Sequence, residues 1–309
     1  MIYPNWPSIK NKLKQIINTN NYDIIQIETW WQCGLFKCLD SKVLKVIDTH
    51  DVMYEKRELE RLYANNGNLS RSDVKFLIKY KKLELKNIGL ADLIISISEN
   101  DSNTFNDHFP DKNHILVPIG QDLNKFINYP KNDDGKTILF YGSMGGQQNI
   151  IGFWRLYKKI LPLIRNKIQD VKLIVLGANP PEEIKKLHNG NSIIVTDFVE
   201  DVREYISRST IKILPLETSG GFRSRIVEVM ALGVTIIGTN NALGGYGIRN
   251  NENGFIIEHN SDIANKAVEL MQNPKQLKEL SKYAKELIIT KYSINQTYGK
   301  LSNLYEKNY

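Results

Sequence analysis

Residues 213–239 read ILPLETSGGFRSRIVEVMALGVTIIGT. An apolar run ending at proline gives way to Ser-Gly-Gly, then to a stretch of helical period, then to a second β-branched run. The spacing predicts strand, turn, helix (residues 222–232) and strand. Arg223 and Arg225 fall in the first turn of that helix, where a cation opposes the helix dipole. An anion bound at the terminus removes the conflict. Two guanidinium groups, the turn Gly220-Gly221 with the N–H groups of Gly221 and Phe222, and the dipole together make a cradle for a diphosphate. Glu228 lies about a turn and a half into the helix, points toward the same end of the sheet and can accept hydrogen bonds from sugar hydroxyls. The competing reading is a surface ion pair between Arg225 and Glu228 at i,i+3, worth roughly a few tenths of a kcal/mol.

A second glycine-rich turn, Tyr141-Gly142-Ser143-Met144-Gly145-Gly146, follows the strand TILFY and precedes a predicted helix. Glycines let backbone N–H groups approach an anion closely. The turn has neither the Gly-Lys-Ser/Thr of a Walker loop nor the GxGxxG of a dinucleotide fingerprint, so alone it is equally a tight turn. Metal chemistry is not expected. Cys33 and Cys38 sit in the apolar stretch WWQCGLFKC and read as buried free thiols, and none of His50, His108, His114, His188 and His259 forms an HxxxH pair.

The elements that must position these turns alternate short β-branched runs with longer helical stretches, the order of an α/β protein with mainly parallel sheets. Strands are expected at residues 23–28, 43–48, 92–97 and 115–118 in the first half. In the second they are expected at 137–141, 172–176, 193–196, 211–215, 234–238 and 255–257. Helices are expected at 7–19, 150–169, 199–207, 222–232 and 261–272. The loop-like interval 124–136 (NKFINYPKNDDGK) marks a boundary, giving domains 1–130 and 131–290 and a terminal helix, 291–309, that packs back on the first domain. With 309 residues, 41% hydrophobic and 24% charged, the chain has the length and balance of two soluble domains. No apolar run reaches the roughly 18–20 residues of a membrane span, and MIYPNWPSIKNKLK lacks a signal-peptide layout, so a cytoplasmic location is expected. The net charge of +7 suits phosphorylated ligands or an anionic membrane. Lys75, Lys79, Lys82 and Lys86 recur along one helix face, either as a solvated stripe or as a peripheral contact at the inner face of a membrane. Basic residues are not interleaved with aromatic ones as in nucleic-acid readers, and no nucleic-acid partner is expected.

With these segments in order, the chain resembles glycosyltransferase family 4, the retaining nucleotide-sugar transferases of GT-B fold. The likeness runs through YDIIQIE, KVIDTHDVMYEKRELER, ADLIISISENDSNTF, ILVPIGQDLNKF, FYGSMGGQQNIIGFW, LIVLGANPP, VTDFVEDVREYI, the 213–239 segment and GFIIEHN. It implies two Rossmann-like doubly wound domains facing a cleft, an acceptor-side one first and a donor-binding one second. Family members usually open with a strand and glycine-rich loop that this chain lacks, so the first domain is expected to be shortened. A second copy or partner subunit could cover its open sheet edge.

Carried over residue by residue, the resemblance makes Glu228 the second glutamate of the Glu-x7-Glu motif, which holds the donor ribose. The first falls at Gly220 and is absent, as in the branch whose turn reads Gly-Gly-x-Arg-x-Lys; here Arg223 and Arg225 keep the charge. Gly142, with Ser143 beside it, corresponds to the glycine that approaches the phosphates. Asp197, Phe198 and Val199 correspond to the loop that brackets the nucleobase, and His50 and Asp51 to residues facing the transferred sugar. The implied reaction is transfer with retention from a UDP-sugar, in preference to a GDP-sugar, to a hydroxyl of a saccharide or lipid-linked glycan. The nucleotide-sugar is a substrate, so no cofactor is implied; no metal is needed, and no Asp-x-Asp motif occurs. The alternatives are a non-catalytic nucleotide-sugar-binding subunit or sensor, an inactive remnant that needs a partner, and a sugar-nucleotide epimerase.

Overall fold

In the computed structural model, which describes residues 7–40, 42–65, 67–218 and 222–308, ten strands form two sheets, and every neighbouring pair runs parallel. The chain divides into two compact units, Met1–Ile119 with Tyr298–Tyr309, and Gly120–Thr297.

The first unit holds β1 (Ile24–Glu28), β2 (Leu44–Asp48), β3 (Leu93–Ser96) and β4 (Asn113–Leu116), in the spatial order β1-β2-β3-β4. Parallel neighbours require crossovers, and these are a 3₁₀ helix Trp30–Cys38, the helix pair Met53–Ala64 and Arg71–Ile88, and the helix Glu99–His108. Period-two alternation splits the strand residues between two faces. Ile27, Ile47 and Ile94 pack with Trp30, Cys33, Phe36 and Phe105 on one. Val46, Leu93, Ile95 and Val117 pack on the other, against Leu301, Leu304 and Tyr305 of the helix Ile294–Asn308. Ser70 and Asp73 close a capping box at the start of Arg71–Ile88, which fixes where that long helix begins. Cys33 is fully buried and its thiol is pushed up to about 12 by burial, whereas Cys38 is half-buried.

Removing residues 298–309 would expose Val46, Leu93, Ile95 and Val117. At roughly 1.5–3 kcal/mol per buried large apolar side chain, the loss of Leu301, Leu304 and Tyr305 should destabilise this unit by about 4 kcal/mol or more. Thermal melting of a chain ending at Thr297 checks this; an unchanged transition would remove the helix from the stability of the first unit.

The second unit holds β5 (Thr137–Tyr141), β6 (Lys172–Leu176), β7 (Ile193–Val195), β8 (Ile211–Leu214), β9 (Thr235–Gly238) and β10 (Phe255–Ile256), in the order β10-β9-β8-β5-β6-β7. Its first strand is central and the winding reverses between β5 and β8. That pair is the topological switch point, beyond whose carboxyl ends open α/β sheets bind ligands. Strand residues are almost all buried, as expected of a sheet covered on both faces, and Phe140 meets Phe153 edge-on at 5.8 Å in the core.

Three elements depart from the sequence reading. The division falls after Ile119 instead of residue 130, because the short helix Asn124–Ile127 and Tyr129 pack on the second unit, and the Gln121 N–H donates to the Tyr292 carbonyl at 2.9 Å. The helix expected at 150–169 is three pieces, Gln147–Arg155, a π turn Leu156–Ile160 and Leu161–Arg165. Pro162 has no N–H for the Lys158 carbonyl, so the regular ladder cannot continue. The helix after the Ser-Gly-Gly turn spans Ser224–Ala231, which puts Arg223 at the cap, ahead of the first turn, and only Arg225 within that turn.

Candidate functional site

The two turns singled out above leave β5 and β8, the strands on either side of the switch point. After β5 the backbone is pinned to the loop after β6: the Gly142 N–H donates to the Leu176 carbonyl at 3.1 Å, and the Met144 N–H to Ala178 at 3.0 Å. Gly177, at φ +153°, lies so near that a Cβ there would fall 1.9 Å from the Gly142 carbonyl oxygen. Asn149 donates to the Ser143 carbonyl at 2.8 Å and packs where a Gly142 side chain would stand. Gly146, the cap of Gln147–Arg155, offers no side chain to that helix terminus.

Of the turn after β8, Gly220 and Gly221 lie outside the described residues. Beyond them, Phe222 stacks on Tyr246 and also meets Tyr292, both at 5.6 Å, and the Arg223 N–H donates to the Tyr246 hydroxyl. The Arg223 guanidinium reaches Gln148 Oε1 at 3.2 Å and the Asn241 and Ala242 carbonyls at 3.4 Å, so one side chain ties together the turns after β5, β8 and β9. Arg225 stands over the Tyr141 ring, 5.5 Å from its centroid. The Tyr141 hydroxyl donates to Glu228 Oε2 at 2.9 Å. Among the described residues the Arg225–Glu228 ion pair does not form; the carboxylate takes Tyr141 instead. Burial, and secondly the Glu228 charge, raise the Tyr141 phenol above its ordinary value. Beneath the turn Lys212 of β8 is fully buried, donates from Nζ to the Arg225 carbonyl at 3.1 Å and is pushed down to about 7 by burial.

On the far side of β5, Asp197 accepts the N–H groups of Asn179 at 2.8 Å and Phe198 at 2.9 Å. These bonds, the Asn179 one foremost, hold its carboxyl below the usual range. They fix the loops after β6 and β7 to each other, with Asn179 in the left-handed region at φ +58°. Phe198 is 78% exposed, an aromatic face open to a planar ligand, while Val199 turns inward against the core.

In the first unit His50 follows β2 with φ +58°, and its Nε2 lies 2.7 Å from Glu28 Oε2, a residue of the adjacent strand. Glu28 Oε1 accepts from Gln26, whose own carbonyl accepts from Tyr305 of the terminal helix. Glu28, Asp48 and His50 bring their ligand atoms within 4.8 Å of one another, the one such group among the described residues. Two of the three are exposed and already bonded to each other. Burial raises the Asp48 carboxyl. Asp51 pairs with Lys56 at 2.8 Å and is not part of this group. Under the start of Met53–Ala64, the fully buried Glu84 accepts the Met53 N–H at 2.8 Å, and burial pushes it up to about 8.

The structure thus brings Arg223, Arg225, Phe222 and Glu228 together around the turn after β8, and gathers Gly142 and Ser143 at the turn after β5. Tyr141, which opens the glycine-rich turn after β5, completes this cluster with Gln148, Lys212 and Tyr246, three residues that no sequence motif marks. Lys212 carried a signal: a lysine inside the apolar strand IKIL is rare unless its amine has a buried partner.

Residues 135–273 match the family described as glycosyl transferases group 1. Among solved structures, TarM of S. aureus aligns with TM-score 0.70 and 16% identity over 94% of this chain and 57% of its own. A glycosyltransferase of Rickettsia africae aligns with TM-score 0.67 and 18% identity over 99% of this chain and 83% of its own. Anabaena HepE, solved with UDP, aligns with TM-score 0.69 and 13% identity over 99% and 84%. No curated protein matches the chain in sequence. The fold is GT-B, with two Rossmann-like units. The match to the glycosyl transferases group 1 family lies within the second unit. The chain spans 57% of the length of TarM.

Proposed function

We propose that the chain is a retaining glycosyltransferase of the family 4 type, taking a sugar from a UDP-linked donor and placing it on a hydroxyl of a saccharide or lipid-linked glycan. The observation that carries this reading is the pair Arg223 and Arg225 at the head of Ser224–Ala231, at the switch point of a sheet whose residues match a glycosyl transferases group 1 family. Two solved relatives in fold, HepE and the pneumococcal transferase GtfA, bind UDP with glucose and UDP with GlcNAc respectively, which favours uridine. Retention is the stated outcome for trehalose-6-phosphate synthase, aligned at TM-score 0.65.

In this mechanism the leaving diphosphate develops charge as the sugar–oxygen bond breaks. Arg223, Arg225 and the helix terminus stabilise that charge, the largest contribution such a site can make. The acceptor hydroxyl attacks on the face that the diphosphate leaves, so configuration is kept. Glu228, oriented by Tyr141, holds the ribose, Phe198 stacks on the base, and Gly142 with Ser143 lines the phosphate path. Gly220 and Gly221, which precede Phe222 in sequence, are proposed to face the same phosphates. His50, oriented by Glu28, and Asp51 act on the sugar side. The residues proposed supply this charge stabilisation without a metal.

Calorimetry with UDP and GDP, followed by NMR of products from UDP-sugars and glycan acceptors, tests the reading. Tight UDP binding and a product whose anomeric configuration matches the donor support it. An epimerised sugar, or binding without transfer to any acceptor, would replace it by the epimerase or the binding-subunit alternative.

Membrane contact belongs to the same proposal. Lys75, Lys79, Lys82 and Lys86 are all exposed on Arg71–Ile88, with Ile78 at 65% and Val74 at 42% exposure beside them. No helix among the described residues is long and apolar enough to cross a membrane. At about 1 kcal/mol per basic residue near an anionic surface, the stripe should hold the protein on phosphatidylserine vesicles, and a fourfold Lys→Glu variant should not bind. Absence of vesicle binding by the native chain at low salt would remove the contact.

A further inference from the structure

Lys212 is fully buried in a strand flanked on both sides, where an ammonium group is costly unless its surroundings compensate. Its Nζ donates to the Arg225 carbonyl at 3.1 Å and lies 5.4 Å from the centroid of the Tyr141 ring. Arg225 approaches the same ring at 5.5 Å, and the ring's hydroxyl donates to Glu228. One amine therefore holds the backbone of a diphosphate contact and, through one ring, adjoins the partner of the ribose contact.

The charged and titratable groups that face it are Arg223, Arg225 and Glu228 from the helix side and Tyr141 from β5; its register neighbours Leu139 and Ile236 are apolar. Burial weighs most against the ammonium form, the two arginines add to that, and Glu228 favours it.

Resting on the donor-site reading above, we propose that Lys212 is the positioning residue of this turn, and that affinity for a nucleoside diphosphate follows the charge on its amine. An anion seated on Arg223 and Arg225 offsets the two charges that oppose the ammonium group. The complex then favours the protonated amine more than the free protein does, and linkage requires that binding take up a proton. The sign follows. Affinity is highest where the free protein already holds the proton, below about 7, and falls as pH rises through the higher value of the complex.

The experiment is calorimetric titration with UDP from pH 7 to pH 9, a range above the phosphate's second ionisation near 6. Native protein should bind about fivefold more weakly at pH 9 than at pH 7, which is the part above a free value of about 7 of the tenfold change that goes with a one-unit rise in the amine's value. Lys212→Met should be weak and flat, and Lys212→Arg, whose charge does not titrate, tight and flat. Proton uptake by the native protein, read in two buffers of different ionisation heat, needs no variant and so stands even if a substitution fails to fold. A flat native profile with no uptake, or a Lys212→Met profile that keeps the native slope, overturns the proposal while leaving the donor site intact. Native protein that binds no UDP at any pH overturns both.

Discussion

Replacing Arg223 and Arg225 together by alanine is expected to weaken UDP binding by a hundredfold or more. A hydrogen bond to an ionised partner contributes about 1.5–3 kcal/mol, and two are removed, which gives about 3–6 kcal/mol. The two residues should not behave alike when changed singly. Arg223 also bonds Gln148 and the Asn241 and Ala242 carbonyls, so Arg223→Ala loosens the junction of three turns and should lower the melting temperature. Arg225 lies over the Tyr141 ring, and among the described residues its side chain joins no second turn, so Arg225→Ala should reduce affinity with little change in melting. Arg225→Lys restores the charge without the planar fork and should recover part of the affinity. Calorimetry and thermal melting of the singles and the double decide the matter. A double variant that melts normally and binds UDP as the native chain does would move the diphosphate elsewhere.

The alternation of β-branched runs with helical stretches placed each of the ten strands, because a strand buried on both faces declares itself by local composition. What local pattern does not contain is which residues neighbouring strands and loops bring together. Glu28 and His50 meet because β1 and β2 are adjacent and in register, Glu28 opposite Asp48. Tyr141 and Glu228 are 87 positions apart and meet only because β5 and β8 flank the switch point. The Arg225–Glu228 spacing suggested a pair on the helix surface, but Glu228 has a partner from the sheet and turns to it. The sequence pattern extends the helix back over Arg223, because the cap sets where a helix starts and the residues just before it leave that start ambiguous by two positions. Lys212 was legible in principle, since a lysine among Ile, Ile and Leu asks for an explanation. Its partner, a backbone carbonyl, leaves no mark in sequence at all.

Gly177 supplies the largest expected effect of a single substitution on stability. In LGANPP it reads as an ordinary turn glycine, but its φ of +153° is one that side chains rarely adopt, and a Cβ would fall 1.9 Å from the Gly142 carbonyl oxygen and 2.9 Å from its carbonyl carbon. Both obstructing atoms are backbone, so no side-chain rotation relieves the clash. Either the turn after β5 or the turn after β6 must move, and the bonds Gly142 to Leu176 and Met144 to Ala178 go with it. Backbone strain of about 1–3 kcal/mol and two weakened hydrogen bonds of about 1 kcal/mol each put Gly177→Ala at about 3–5 kcal/mol. For a unit of this size that is a fall in melting temperature of roughly 6–20 °C. Gly145→Ala is the matched control, because its Cβ would meet only Asn179 at 3.9 Å, and it should change stability by less than about 0.5 kcal/mol. The pair separates two roles for the glycines of this turn. If they serve to let the turns after β5 and β6 touch, Gly177→Ala loses both stability and UDP affinity while Gly145→Ala loses neither. If Gly145→Ala instead loses affinity at unchanged melting, the turn's own backbone approaches the phosphates, and the closeness of Gly142 to Gly177 is a matter of packing alone.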